Sequence, residues 1–238
     1  MNELNRVDRL LELSANLQEV EERIDQSLST VGRNRCEVTL IVVTKNFPVS
    51  DCQILYELGI RNFGENRDQE GALKAAQMGN DLAWHFQGQI QSRKIRSIAH
   101  WAQVIHSLDS LEHAQKFDSL FASGESAGPR DFFVQVNLEP DRVDRGGIAV
   151  DQIPHFFEGL GSLPSISSIG LMAVAPLGMS PDRAFDHLRT AKERHQKDYP
   201  QLFSLSMGMS GDFESAIAAG ATHIRIGSSI LGSRPVPA

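Results

Sequence analysis

The sequence predicts a single α/β domain, a closed (β/α)8 barrel with an extra helix at its N-terminus. Three observations carry this expectation. Apolar, strand-like segments and amphipathic segments alternate strictly from residue 38 onward, which implies a parallel sheet covered by helices. Eight strand-like segments can be counted, the number that closes such a barrel. The chain has 238 residues, 41% of them apolar, close to the roughly 250 at which these barrels form one domain. The expected domain is residues 1–238, with 1–32 as a covering helix.

Residues 3–30 place Val7, Leu10, Leu13, Leu17, Val20, Ile24 and Leu28 three or four positions apart among polar residues, the pattern of an amphipathic packing helix. Strands are expected at 38–44, 60–63, 83–87, 104–107, 132–137, 166–174, 202–207 and 222–226. Helices are expected between them at 50–58, 66–78, 89–100, 110–122, 150–159, 181–198 and 211–219. Ser50 or Asp51 can cap the first of these and Gly59 can end it. Asp109 or Ser110 can cap the fourth, and Pro181 after Ser180 suits a first helical turn. After the last strand only SSILGSRPVPA remains. That is too short for an eighth covering helix, so the N-terminal helix is expected to fill the gap. Residues 124–129, GESAGP, read as a loop inside the domain.

Composition narrows the function. The net charge is -7, 22% of residues are charged, and no basic tract is present, which argues against nucleic acid and anionic membranes. Cys36 and Cys52 form no CxxC and lie near no paired histidines, so the reading is reduced and metal-free. The N-terminus lacks the apolar core of a signal peptide. No stretch approaches the roughly 20 apolar residues of a membrane helix. A soluble, cytoplasmic protein is expected.

Ligands bind such barrels at the C-terminal strand ends, so those ends hold the candidates. Lys45 follows the apolar strand Leu40-Ile41-Val42-Val43-Thr44. A lysine losing hydration there favours the neutral amine, a nucleophile for an aldehyde; solvated, it is an ordinary surface lysine. Ser210-Gly211 opens a helix whose N–H groups suit a phosphate, or Ser210 is a plain N-cap. Gly227-Ser228 ends the neighbouring strand, which strengthens the phosphate reading. An inward Arg225 needs a partner, either a structural acid or a ligand ring nitrogen or phosphate. Asn66 can hydrogen-bond a ligand or cap the helix starting there. His85 and His106 read as structural. Met172, Met207 and Met209 read as packing residues.

The stretches VTKNFPVSD, FGENRDQE, WHFQGQIQSRK, HSLDS, GLMAVAP, LSMGMSGDFESAIAAGA and IRIGSSILGSR resemble the pyridoxal phosphate homeostasis proteins. The match runs in order across nearly the whole chain. The resemblance implies a TIM barrel like the alanine racemase N-terminal domain, of the fold type III pyridoxal phosphate class, standing alone. It implies pyridoxal 5′-phosphate (PLP) as cofactor and Lys45 as its Schiff-base lysine. Ser210, Gly227 and Ser228 fall where that family holds the phosphate, Arg225 where an arginine faces the pyridine nitrogen, and Asn66 near the cofactor. Met207, inside LSMGMS, is carried into the same cofactor-binding set. Phe47 stands where many relatives have a second lysine. Arg145, in Asp144-Arg145-Gly146-Gly147, stands near where many have a lysine. Ser228 keeps the hydroxyl of a common threonine.

Three roles follow: a PLP-holding homeostasis protein, a PLP-dependent amino-acid racemase, and an unrelated lysine aldolase. A two-base racemase needs an acid or base on each face of the substrate carbon. In alanine racemases the second is a tyrosine brought by another domain of a partner subunit. Here the only tyrosines, Tyr56 and Tyr199, fall in covering helices. Arg225 at the pyridine nitrogen would keep that nitrogen unprotonated and weaken the ring as an electron sink. The expectation is therefore a non-catalytic carrier of PLP and related B6 vitamers, monomeric, with apo-PLP enzymes as partners. The racemase ranks second and the aldolase last.

Overall fold

A computed structural model describes residues 3–126, 130–139 and 145–232. Residues 1–2 of the expected covering helix, 127–129 and 140–144 of two expected loops (Asp144 among them) and the tail 233–238 lie outside the described residues.

Nine parallel-paired strands are described: β1 Thr39–Val43, β2 Asn62–Glu65, β3 Ala83–Phe86, β4 Val104–Leu108, β5 Arg130–Asn137, β6 Ile148–Ala149, β7 Ile166–Met172, β8 Ser204–Ser206 and β9 His223–Ile226. Their order is β4-β3-β2-β1-β9-β8-β7-β5-β6, and an additional β4–β5 pairing closes the cylinder. Eight strands thus form the barrel. The two-residue β6, which the sequence does not announce, only extends the end of β5 through Val136↔Ile148 and Asn137↔Ala149.

The helices are α1 Glu3–Thr30, α2 Val49–Glu57, α3 Asp68–Ala75, α4 Ile95–Trp101, α5 Leu111–Ala122, α6 Ile153–Leu160, α7 Pro181–His195, α8 Phe213–Ala218 and α9 Ser228–Leu231. Several are shorter than their patterns. The first turns before α4 and α6 are 3-10 segments at Ser92–Lys94 and Val150–Gln152. Ser110 caps α5 by accepting from the His113 N–H. Neither Ser50 nor Asp51 caps α2, which already begins at Val49 behind Pro48.

α1 closes the outer ring as expected. It packs between α2 on one side and α8 and α9 on the other. Its apolar stripe, Leu13, Leu17, Val20, Ile24 and Leu28, is buried, whereas Val7 near the start is exposed. Arg9 pairs with the buried Asp51 of α2 at 2.7 Å, and Asn16 donates to the Ile230 carbonyl of α9.

Strand alternation divides the interior in two. Leu40, Val42, Phe132, Val134, Leu205 and Ile224 join the large apolar cluster between barrel and helices. Phe133, Arg225, His85, His106 and Ser206 are also buried and meet one another in the barrel lumen. His106 stacks on Phe133 with centroids 4.6 Å apart. The lumen is therefore polar as well as aromatic.

Candidate functional site

A cavity of about 400 Å³ opens at the C-terminal mouth of the barrel, and its wall includes Lys45, Asn66, Ser210, Arg225, Gly227 and Ser228. Six of the seven candidate residues meet there. Met207 does not line the cavity. It directly follows β8 and is fully buried in the barrel–helix core. Met209, two residues on, reaches the cavity instead.

Lys45 is half-buried in the turn after β1. That turn is closed by the Phe47 N–H donating to the Thr44 carbonyl, and Asn46 in it has φ 67. Asparagine tolerates this left-handed conformation better than most residues. Phe47 lies against the cavity wall and packs under the Arg9 guanidinium at 5.9 Å.

Ser210 does not cap the helix that follows it. α8 begins only at Phe213, and Asp212 holds the intervening turn by accepting from the Met209 N–H at 2.6 Å. The Ser210 hydroxyl faces the neighbouring strand end instead. It accepts from the Gly227 and Ser229 N–H groups, each at 3.3 Å. The Gly227 and Ser229 N–H groups of the turn after β9 thus meet Ser210 at one corner of the cavity, which Gly211 also lines. Gly208 makes this possible. Its φ is 93, and a Cβ there would lie 2.6 Å from the Ala216 Cβ.

Arg225 is 5% exposed. Its guanidinium donates to Ser206 Oγ at 2.6 Å and to the Ala173 carbonyl at 3.0 Å. Among the described residues it has no carboxylate ion pair, so its charge faces the cavity undiluted by a bound acid. Burial lowers it to about 10, and Asp212 partly offsets this; it stays cationic at neutral pH. Behind it, His106 Nδ1 lies 2.8 Å from Ser206 Oγ, His85 Nδ1 2.9 Å from His106 Nε2, and Asn62 Oδ1 3.1 Å from His85 Nε2. Asn62 Oδ1 accepts, so His85 carries its proton on Nε2. A neutral His85 then accepts at Nδ1 from His106 Nε2–H, and His106 accepts at Nδ1 from the Ser206 hydroxyl. Every donor points away from Arg225. Burial first, then neighbouring charges, keeps these rings neutral: His85 falls to about 3 and His106 well below its usual value.

Asn66 does not cap α3, which starts at Asp68 with Arg67 before it. Its Oδ1 is buried without a hydrogen-bond partner, as is Gln87 Nε2. Both residues line the cavity. Buried polar atoms are nearly always satisfied, so these two mark positions for a polar ligand. Gln87 closes the expected strand 83–87, and nothing in its local sequence marks it as a ligand contact. Gly64 makes room for it, since a Cβ there would stand 2.7 Å from Gln87 Nε2. Arg145 pairs with Glu139 at 3.2 Å and is not part of the wall. The Tyr56 hydroxyl donates to Asp81, and that of Tyr199 to the Pro154 carbonyl; neither tyrosine reaches the cavity. Among the described residues no cluster of acids, histidines and cysteines could hold a metal ion.

The fold and the cavity at its mouth place the chain in a known class. The family model for the alanine racemase N-terminal domain matches residues 15–235, and the chain belongs to that family. Within it, the chain is 37% identical to the pyridoxal phosphate homeostasis protein of Mycobacterium leprae, covering 94% of each. It is also 37% identical to that of Corynebacterium glutamicum, over 90% of this chain and 98% of the other. The chain is thus a member of the pyridoxal phosphate homeostasis protein family. Among solved structures, PipY of Synechococcus elongatus with PLP bound superposes with a TM-score of 0.81 at 32% identity, over 92% of this chain and all of that one. Alanine racemase of C. glutamicum superposes at 0.67 and 16% identity, over 95% of this chain and 62% of that one. That likeness is one of fold.

Proposed function

We propose that this chain binds pyridoxal 5′-phosphate at the barrel mouth, as a Schiff base on Lys45, and serves PLP homeostasis without efficient catalysis. The observation that carries this reading is the meeting of Lys45, Arg225 and the Ser210–Gly227–Ser228 corner on one cavity of about 400 Å³. The donor set fits the cofactor. A phosphate displacing the Ser210 oxygen would take over the Gly227 and Ser229 N–H groups, with the Ser210 and Ser228 hydroxyls beside it. Arg225 would face the pyridine nitrogen, and Asn66 Oδ1 and Gln87 Nε2 offer unused polar atoms for the ring. When bound, the cofactor would supply an aldehyde to which the Lys45 amine could add, C=N forming as water leaves.

The non-catalytic part rests on this chain's own residues. Neither tyrosine approaches the cavity to serve as a second base. Arg225 is a cation at neutral pH and opposes protonation of a neighbouring ring nitrogen. We take residues 1–238 as one PLP-binding domain, monomeric and cytoplasmic, exchanging PLP or related B6 vitamers with apo-PLP enzymes. Among the described residues no helix is long and apolar enough to cross a membrane.

The test is titration of the apoprotein with PLP, followed by assay with L- and D-alanine. A saturable imine absorbance without useful turnover supports the proposal. Racemisation at about 10 per second, a typical enzyme rate, overturns the carrier role.

A further inference from the structure

We propose that Lys74 is a positioning residue, a buried tripod that fixes the backbone on both sides of Lys45. The inference rests on the reading of Lys45 as the cofactor lysine.

Lys74 sits on α3 and is 5% exposed. Its ammonium has three protons, and the structure shows three acceptors: the Thr44 carbonyl at 2.7 Å, Glu65 Oε1 at 2.6 Å and Glu70 Oε1 at 2.8 Å. Thr44 immediately precedes Lys45. Its hydroxyl donates to the same Glu65 oxygen at 2.6 Å. Asn46 immediately follows Lys45, and its N–H donates to the same Glu70 oxygen at 2.6 Å. The two peptide units flanking Lys45 therefore converge on one ammonium, directly through Thr44 and through Glu70 for Asn46.

Stability alone does not account for this arrangement. Glu65 is fully buried, and its second oxygen has no partner. Removing such ions from water is costly, and apolar residues of similar volume often stabilise a fold as well or better. What the tripod does supply is geometry. Asn46 holds a left-handed φ of 67, a conformation that persists when its surroundings fix it. A nucleophile on a long, flexible stem gains most from a fixed origin, because small displacements of a reacting group carry large penalties.

The experiment compares wild type, Lys74→Met combined with Glu65→Gln, Glu70→Ala and Lys45→Ala. The double variant removes both buried charges together, and Glu70, partly exposed, keeps the Asn46 N–H as a donor. In Glu70→Ala the buried Lys74–Glu65 pair stays, and the Asn46 tether goes together with the Lys74–Glu70 contact that anchors it. Circular dichroism and thermal melts confirm folding. PLP binding is read by equilibrium dialysis and the imine fraction by absorbance. The proposal expects folded variants that still bind PLP through the phosphate and Arg225 contacts, with affinity weakened only in step with the imine lost. Their imine-to-free-aldehyde ratio should be lower by about tenfold or more. An unchanged ratio in both folded variants overturns it, and leaves the tripod a stability element. If wild type itself forms no imine, or Lys45→Ala retains it, the assignment of Lys45 fails instead, and the pattern tells the two failures apart.

Discussion

Arg225 and His106 meet on one oxygen: Ser206 Oγ accepts from the guanidinium at 2.6 Å and lies 2.8 Å from His106 Nδ1. This shared hydroxyl ties the cavity to a column of neutral histidines that runs down the barrel to Asn62. The arginine keeps its full charge for the cavity because its protein partners are a hydroxyl and a carbonyl. The histidines in turn stay uncharged chiefly because they are buried, and for His106 the Arg225 charge adds to this.

The column predicts an acid limb in the stability curve. In the folded protein His85 titrates near 3 and His223 near 4, burial being the main cause for both. In the unfolded chain each protonates near about 6.5. Below that value the unfolded state binds more protons, so stability falls as pH drops from about 6.5 toward those folded values. Urea midpoints across this window should decline, and His85→Gln should flatten the decline by up to about 1.4 kcal/mol per pH unit. Identical slopes in wild type and variant would show that His85 is not held neutral.

Ser210→Asp should weaken PLP binding by about tenfold or more, since its carboxylate would take the Gly227 and Ser229 N–H groups and repel a phosphate dianion. The same variant should melt no lower than wild type, because the two N–H groups keep an acceptor. Fluorescence titration and a thermal melt check both halves. Unchanged affinity would put the phosphate elsewhere.

Two glycines should respond in opposite ways. A Cβ on Gly88 would stand 1.9 Å from the Asn66 carbonyl oxygen, which is backbone, so Gly88→Ala should cost about 3 kcal/mol or more. A Cβ on Gly64 would stand 2.7 Å from the end of the Gln87 side chain, which can swing aside. Gly64→Ala should therefore change stability by about 1 kcal/mol or less yet lower PLP affinity, because the Gln87 amide leaves the cavity wall. Chemical denaturation and PLP titration separate the two effects. A fully stable Gly88→Ala would contradict the close approach.

Much of this was legible in the sequence, for physical reasons that also explain the rest. The α1 stripe from Leu13 to Leu28 is buried as its spacing requires, and α1 fills the gap beside the last strand. β2 runs past its expected end at residue 63, to Glu65. Gly64 and Glu65 look like turn residues, but the Gln87 side chain packs over the first and Lys74 neutralises the second. Compensation by a residue that arrives only through folding leaves no local signal. The same holds for Ser210, whose partners belong to the turn after β9, and for the orphan amide of Gln87. Met207 and Met209 share a motif, and only strand direction decides which one faces the cavity. The short β6 is defined by its pairing with β5 alone.

The most direct test of the whole account is borohydride reduction of the PLP-loaded protein, followed by peptide mapping. The account predicts one pyridoxyl label, on Lys45, and none after Lys45→Ala. A label on Lys74 or Lys94, or no reducible imine at all, would contradict it.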